Sequence, residues 1–225
     1  MKKICIFTVL ALSASLMAQN REEKRLKAAG DVLHEIMEVK DKAIPQELLD
    51  KSECAVIVPG MKKGAFILGG KYGKGFFTCR AKSGEGWGSP ASVIVEGGSV
   101  GFQIGGSESD IVLLIMNRKG ADRLLNNQFK LGGEASVAAG PVGRTTSAHT
   151  DILMTAEILS YSRSRGVFAG ISLEGSTLRQ DLDSNKDLYG KTMTNKEIIE
   201  GNPKPPAAGT LLLADLTKFS PRKAK

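Results

Sequence analysis

Hydrophobic positions along this chain follow two different rhythms. Between residues 20 and 42, Leu26, Ala29, Leu33, Ile36 and Met37 recur every three to four residues with charges between them. That spacing collects them into one stripe of an α-helix. Ile44-Pro45 ends the pattern, and Pro45 suits the first turn of a second short helix over residues 46–51. The rhythm then changes to short apolar runs at 55–58, 65–68, 76–79, 92–95, 100–104, 111–116, 135–139, 152–161 and 167–173. Of the 26 glycines, 22 lie between Gly60 and Gly175, punctuating these runs. Many short runs separated by glycine predict a mainly antiparallel β structure.

Alternation within the runs adds detail. Val100, Phe102 and Ile104 point one way, and Gly101, Gln103 and Gly105 the other. A strand face made largely of glycine admits another backbone or a ligand at short range. Val167, Ala169, Ile171 and Leu173 alternate in the same way against Phe168, Gly170, Ser172 and Glu174. Residues 111–115 are apolar at every position, which predicts a central strand covered on both faces. Residues 120–130 read as a short helix carrying Leu124, Leu125 and Phe129, ended by Gly132-Gly133. Thr194 and Glu197 have the spacing of a capping box before Ile198 and Ile199. A Pro- and Ala-rich linker at 202–209, a last helix at 210–219 and a basic tail at 220–225 complete the chain. The expected fold class is α+β: one domain with an antiparallel β core, barrel-like or strongly curved, flanked by short helices and an N-terminal helix. A chain of 225 residues, 41% hydrophobic and 24% charged, is long enough to bury such a core and too apolar for disorder.

Residues 1–18 read as a secretory signal peptide, with Lys2 and Lys3 before a short apolar run and a cleavage point after Ala18; an uncleaved membrane anchor is the alternative. The expectation is therefore an exported protein, periplasmic or envelope-associated. The remaining divisions are an amphipathic helix at 19–43, the main domain at 44–200 and the linker, helix and tail at 201–225. Loss of Lys2 and Lys3 takes the net charge from +7 to +5, so the chain stays basic and favours anionic partners. Cys54 and Cys79 would remain; an oxidising compartment allows them to bridge, while two small buried strand residues are the alternative.

Several patterns imitate chemistry. Gly97-Gly98-Ser99-Val100-Gly101 fits the G-x-S-x-G spacing of a hydrolase nucleophile elbow, which needs a helix immediately after the serine. Alternating strand residues follow here, so a glycine-rich hairpin turn is the better reading. Gly190-Lys191-Thr192 ends like a phosphate-binding loop, but Asn185 stands where its first glycine belongs. His34 and His149 lack any Cys or His at metal-ligand spacing, and Ser147, His149 and Asp151 alternate along one strand face rather than converging as a catalytic triad must. Asp181, Asp183, Asn185 and Asp187 alternate like a calcium loop, but Lys186 and Thr192 occupy its glycine and glutamate positions, which leaves a helix N-cap as the default.

One stretch carries a positive functional signal. Residues 55–84 contain no Asp or Glu but hold Lys62, Lys63, Lys71, Lys74, Arg80 and Lys82, with Phe66, Tyr72, Phe76 and Phe77 among them. Cations beside aromatic rings suit an anionic membrane surface: the bases meet phosphate while the rings enter the interface. The alternative is solvated lysines beside aromatics that fill the core. The candidate lipid-binding residues are Lys62, Lys63, Lys71, Lys74, Arg80, Lys82, Phe66 and Tyr72. The first helix is a weaker candidate, since residues 21–42 carry six bases and six acids. No nucleic-acid-binding signature is present.

Three segments resemble one known family. Residues 161–176 (YSRSRGVFAGISLEGS), 100–117 (VGFQIGGSESDIVLLIMN) and 131–144 (LGGEASVAAGPVGR) are similar to the signature segments of the SYLF family, also called the Ysc84-type actin-binding domain. The resemblance runs from about residue 44 to residue 199. It implies a single domain with an antiparallel β core, no catalytic residues and no cofactor. For an exported bacterial member it implies phospholipid binding at an envelope membrane. Eukaryotic relatives bind phosphoinositides and, in fungi, actin. The expected partner is therefore an anionic phospholipid surface, with a protein partner as the alternative. Arg144 has two readings, an internal pair with Glu174, which we favour, or a lipid phosphate.

Overall fold

The computed structural model describes residues 2–39, 44–65, 69–81, 86–99, 105–125, 128–143, 156–164, 167–171 and 173–220, with backbone alone for residues 2–16, 65, 99 and 105. Nine strands form one sheet: β1 (Cys54–Ala65), β2 (Gly69–Cys79), β3 (Ala91–Ser99), β4 (Gly105–Ile115), β5 (Gln128–Lys130), β6 (Val137–Ala139), β7 (Ile158–Ser164), β8 (Val167–Gly170) and β9 (Thr177–Gln180). Their order is β5-β9-β3-β2-β1-β4-β7-β6, with β8 also paired to β7. All pairs are antiparallel except β6 with β7. The sheet curls into a half-barrel.

Each face of the curl buries its own apolar cluster. The face covered by α1 (Lys2–Glu38) and the last helix, termed outer here, carries Ile57, Phe76, Leu114 and Tyr161, and the opposite face is termed inner. The stripe read from the sequence does this packing, since Leu26, Ala29, Leu33 and Ile36 are all buried. The inner face gathers Val56, Val58, Met61, Phe77, Val95, Leu113 and Phe129 into a second cluster. β4 lies centrally, so Ile111–Ile115 are buried at every position. No helix among the described residues is long and apolar enough to cross a membrane.

Short helices close the edges: α2 (Gln46–Lys51), α3 (Arg118–Leu124), α4 (Leu182–Tyr189), α5 (Asn195–Gly201), a 3₁₀ turn (Ala207–Gly209) and α6 (Thr210–Phe219). Their starts are written in the sequence. Thr194 and Glu197 form the capping box of α5. Asp181 caps α4 by accepting from the Ser184 N–H, so the alternating acids are the start of a helix. Gly190 ends α4 in the left-handed conformation, φ 71°. Cys54 and Cys79 face each other across β1 and β2 and are disulfide-bonded.

One expectation needs correction, and one alternation gains a direction. The helix expected over residues 120–130 stops at Leu124, and Gln128–Lys130 instead pairs with the edge of β9, setting Phe129 opposite Leu178 in the inner cluster. In β8 the buried side chain is Phe168, which stacks on Tyr161 with ring centroids 5.5 Å apart, while Val167 is 63% exposed. Aromatic burial outweighs a valine on that edge. The glycine-faced strand expected at 100–104 lies outside the described residues.

Gly170 shows why signature glycines are required. A Cβ there would sit 2.2 Å from the Gly140 carbonyl oxygen, a backbone atom that cannot rotate away. Gly170→Ala is expected to destabilise the fold by about 3 kcal/mol, and thermal or denaturant unfolding measures it.

Candidate functional site

The residue types that could engage an anionic surface meet at one end of β1 and β2, and an irregularity decides which way each one points. Pairing of β1 with β4 slips between Val58 and Met61, so Pro59 and Gly60 form a bulge. Ahead of it Val56 and Val58 face inward; beyond it Met61 does. The bulge therefore turns Lys63 to the inner face and Lys62 to the outer one. Gly60 has φ +60°, which favours glycine, and its N–H donates to Asp110 Oδ1 at 2.9 Å. Arg163 grips the other oxygen of Asp110 at 2.8 Å and also pairs with Glu35 of α1. Burial works against the Arg163 charge, but its bonds to Asp110 and Glu35 outweigh burial and raise its pKa. One guanidinium thus ties the bulge, β4, β7 and the first helix together.

On the inner face Lys63 lies directly opposite Lys71. Both are half-buried, and neither has a carboxylate partner among the described residues. Burial and the neighbouring Lys63 charge lower the Lys71 pKa. On the outer face Lys62 is opposite Tyr72, which is 47% exposed. The same row continues through β3 and β4 to Glu96 and Glu108. Arg179 holds Glu96 at 3.0 Å. The run that lacks acids in sequence thus acquires two on its outer face once folded. Next along the strands Gly98, Gly70, Gly64 and Gly106 align in one exposed row.

The other candidate residues go elsewhere. Lys74 pairs with buried Asp181 at 2.5 Å and donates to Ser184 Oγ at 3.3 Å, fastening β2 to the start of α4. Arg80 donates to the carbonyls of Leu49, Asp50, Ser52 and Ser220 and lies 4.3 Å over the Trp87 ring. It ties α2 to the end of α6 as a structural clamp. Phe66 and Lys82 lie outside the described residues, as do His149 and Arg144. Phe76 and Phe77 are buried, one on each face.

Of the imitated chemistries, Gly97 and Gly98 lie within β3 and Ser99 ends it, while Val100 and Gly101 lie outside the described residues. His34 bridges Asp215 of α6 at 3.0 Å and Glu38 at 3.2 Å, joining the first and last helices. No group of three or more metal-ligating side chains occurs among the described residues. Reading the sequence missed Arg163 and its grip on Asp110. Both belong to signature segments, but a pair 53 residues apart leaves no local trace.

These features define a single α+β module with a basic strand end and no assembled catalytic constellation among the described residues. A family profile described as "Ysc84: Las17-binding protein actin regulator" matches residues 96–218, and the chain belongs to this family. It is 35% identical over 191 residues to the SH3 domain-containing protein PJ696.02 of Schizosaccharomyces pombe, covering 81% of this chain and 44% of that protein. It is 34% identical over 177 residues to Protein YSC84 of Saccharomyces cerevisiae, covering 76% and 37%. Against SH3 domain-containing YSC84-like protein 1 of Homo sapiens the identity is 30% over 200 residues, covering 86% and 58%. The chain thus spans between about a third and three-fifths of these relatives.

Two outcomes test the positioning. Burial alone would raise the Asp181 pKa, but the Lys74 ion pair and the Ser184 hydrogen bonds outweigh it and hold the carboxyl below its ordinary range. The pair therefore contributes stability above about pH 4, the unfolded value. That contribution is lost as pH falls through the depressed native pKa. Lys74→Met should cost roughly 2 kcal/mol at neutral pH, and the deficit should shrink below about pH 4 in urea unfolding curves. Separately, Arg163→Met should speed amide exchange in the half of α1 around Glu35 while leaving the centre of β4 protected, as read by hydrogen-exchange mass spectrometry.

Proposed function

We propose that this chain is a non-enzymatic binding module that attaches to anionic phospholipid surfaces through the end of β1 and β2. Lys62, Lys63 and Lys71 supply the charge, and Tyr72 is the exposed ring that enters the interface. The observation that carries this reading is the pair of opposed lysines, Lys63 and Lys71, without carboxylate partners among the described residues, at a strand end whose other face presents Lys62 and the 47% exposed Tyr72. Each cation near an anionic surface contributes on the order of 1 kcal/mol, so three together give reversible attachment. Lys74 and Arg80 lie outside this site because internal contacts occupy them. The leader-like residues 1–18 and the basic charge support an exported protein at a cell-envelope membrane.

A second reading, attachment to a protein partner, is favoured by the family description as a Las17-binding actin regulator. The partner would belong to whichever compartment receives the chain.

Co-sedimentation with vesicles separates the two readings. The purified chain is expected to pellet with phosphatidylcholine vesicles containing phosphatidylserine, to stay in solution with phosphatidylcholine alone, and to be released by salt. Lys63→Glu with Lys71→Glu should weaken pelleting at least tenfold while leaving the melting temperature nearly unchanged. Equal recovery on neutral and anionic vesicles, or none on either, removes the lipid reading. Retention of a defined envelope protein would then support the second.

A further inference from the structure

We propose that Lys63, Lys71 and Ser176 form a binding site for one doubly charged phosphate group on the inner face, where β1 and β2 approach their shared end. The inference deepens the membrane reading and rests on it for the source of the phosphate, which a lipid headgroup or a free phosphate would supply with the same chemistry.

The first observation is electrostatic. Lys63 and Lys71 are direct cross-strand partners, and like charges in that relation destabilise a sheet. The usual remedy is a carboxylate in the next strand, yet on this face the neighbours are Gly97 in β3 and Ser107 in β4. The acids that stand beside this row in the neighbouring strands, Glu96 and Glu108, are on the opposite face. Two half-buried lysines thus face each other with no carboxylate partner among the described residues, and burial together with the Lys63 charge lowers the Lys71 pKa.

A second, independent observation is a hydroxyl. Ser176 is fully buried, and its Oγ has no hydrogen-bond partner among the described residues. A buried polar group in that condition costs free energy until something accepts its proton. It adjoins Lys71: a Cβ added to Gly97 would lie 3.0 Å from Lys71 Cε and 3.1 Å from Ser176 Cα. Glycine at 97 therefore leaves the space over β3 that the end of the Lys71 side chain occupies, next to the turn before β9. Two ammonium groups and a hydroxyl donor match a phosphate dianion, with lysine acting as a compact point charge. A monovalent carboxylate would leave one cation uncompensated.

Strand alternation supplies the control. Lys62 carries the same charge as Lys63 one residue away but points to the other face, beside Tyr72 and Glu108. The full chain, labelled with ¹⁵N, is titrated with inorganic phosphate at constant ionic strength. Saturable amide shifts are expected at Lys63, Lys71, Gly97 and Ser176. Lys71→Met or Lys63→Met should weaken the response at least tenfold, Ser176→Ala a few-fold, and Lys62→Met not at all. Equal weakening by Lys62→Met and Lys71→Met, or shifts spread over all basic surfaces, would overturn the site. A parallel arm uses phosphatidylcholine vesicles doped with phosphatidic acid. Saturable phosphate binding with no vesicle binding keeps the site and removes the membrane reading. Vesicle binding with no saturable phosphate response keeps the membrane reading and removes the site.

Discussion

The charge distribution of this molecule depends on one extra residue in β1. A strand places alternate side chains on opposite faces, so a bulge exchanges the faces for everything beyond it. Here the exchange falls between Val58 and Met61. Lys63 then joins Lys71 on the inner face, and Lys62 joins Tyr72 on the outer one. The bulge is held by Asp110, which accepts the Gly60 N–H and is itself gripped by Arg163. Because Arg163 also holds Glu35, the docking of the first helix and the aim of the lysines share one anchor.

The same sheet sorts basic residues into two groups. Lys74, Arg80 and Arg179 are spent on holding elements together, through Asp181, a ring of carbonyls and Glu96. Lys62, Lys63 and Lys71 sit at the strand ends, where the core has thinned to glycine and serine. Both faces of the central strands are packed as far as Met61, Val95 and Ile111, so the lysine-bearing ends project from a close-packed sheet. A binding surface built on such a scaffold needs little ordering when it meets an anion.

Much of this architecture was legible in the sequence. The stripe from Leu26 to Ile36, the doubly covered strand at Ile111–Ile115, the caps at Asp181 and Thr194, and the glycine-rich β region all follow from local spacing. The misread elements were those decided by distant partners. Phe129 looks helical beside Leu124 and Leu125 until β9 offers Leu178 as its opposite. Lys74 looks available until Asp181, more than a hundred residues later, reaches it. The acid-free run from Ala55 to Gly84 was real, but Glu96 and Glu108 enter its outer face from β3 and β4. Neither the bulge nor its grip by Asp110 and Arg163 has a signature in local periodicity.

The account stands on Lys63, rather than Lys62, sharing a face with Lys71. Titration of the lysine side chains by ¹³C-detected NMR tests this directly. Lys71 should titrate below an ordinary lysine, Lys63→Met should raise its pKa, and Lys62→Met should leave it where it was. A Lys71 pKa that rises on substitution of Lys62 and ignores Lys63 would contradict the account.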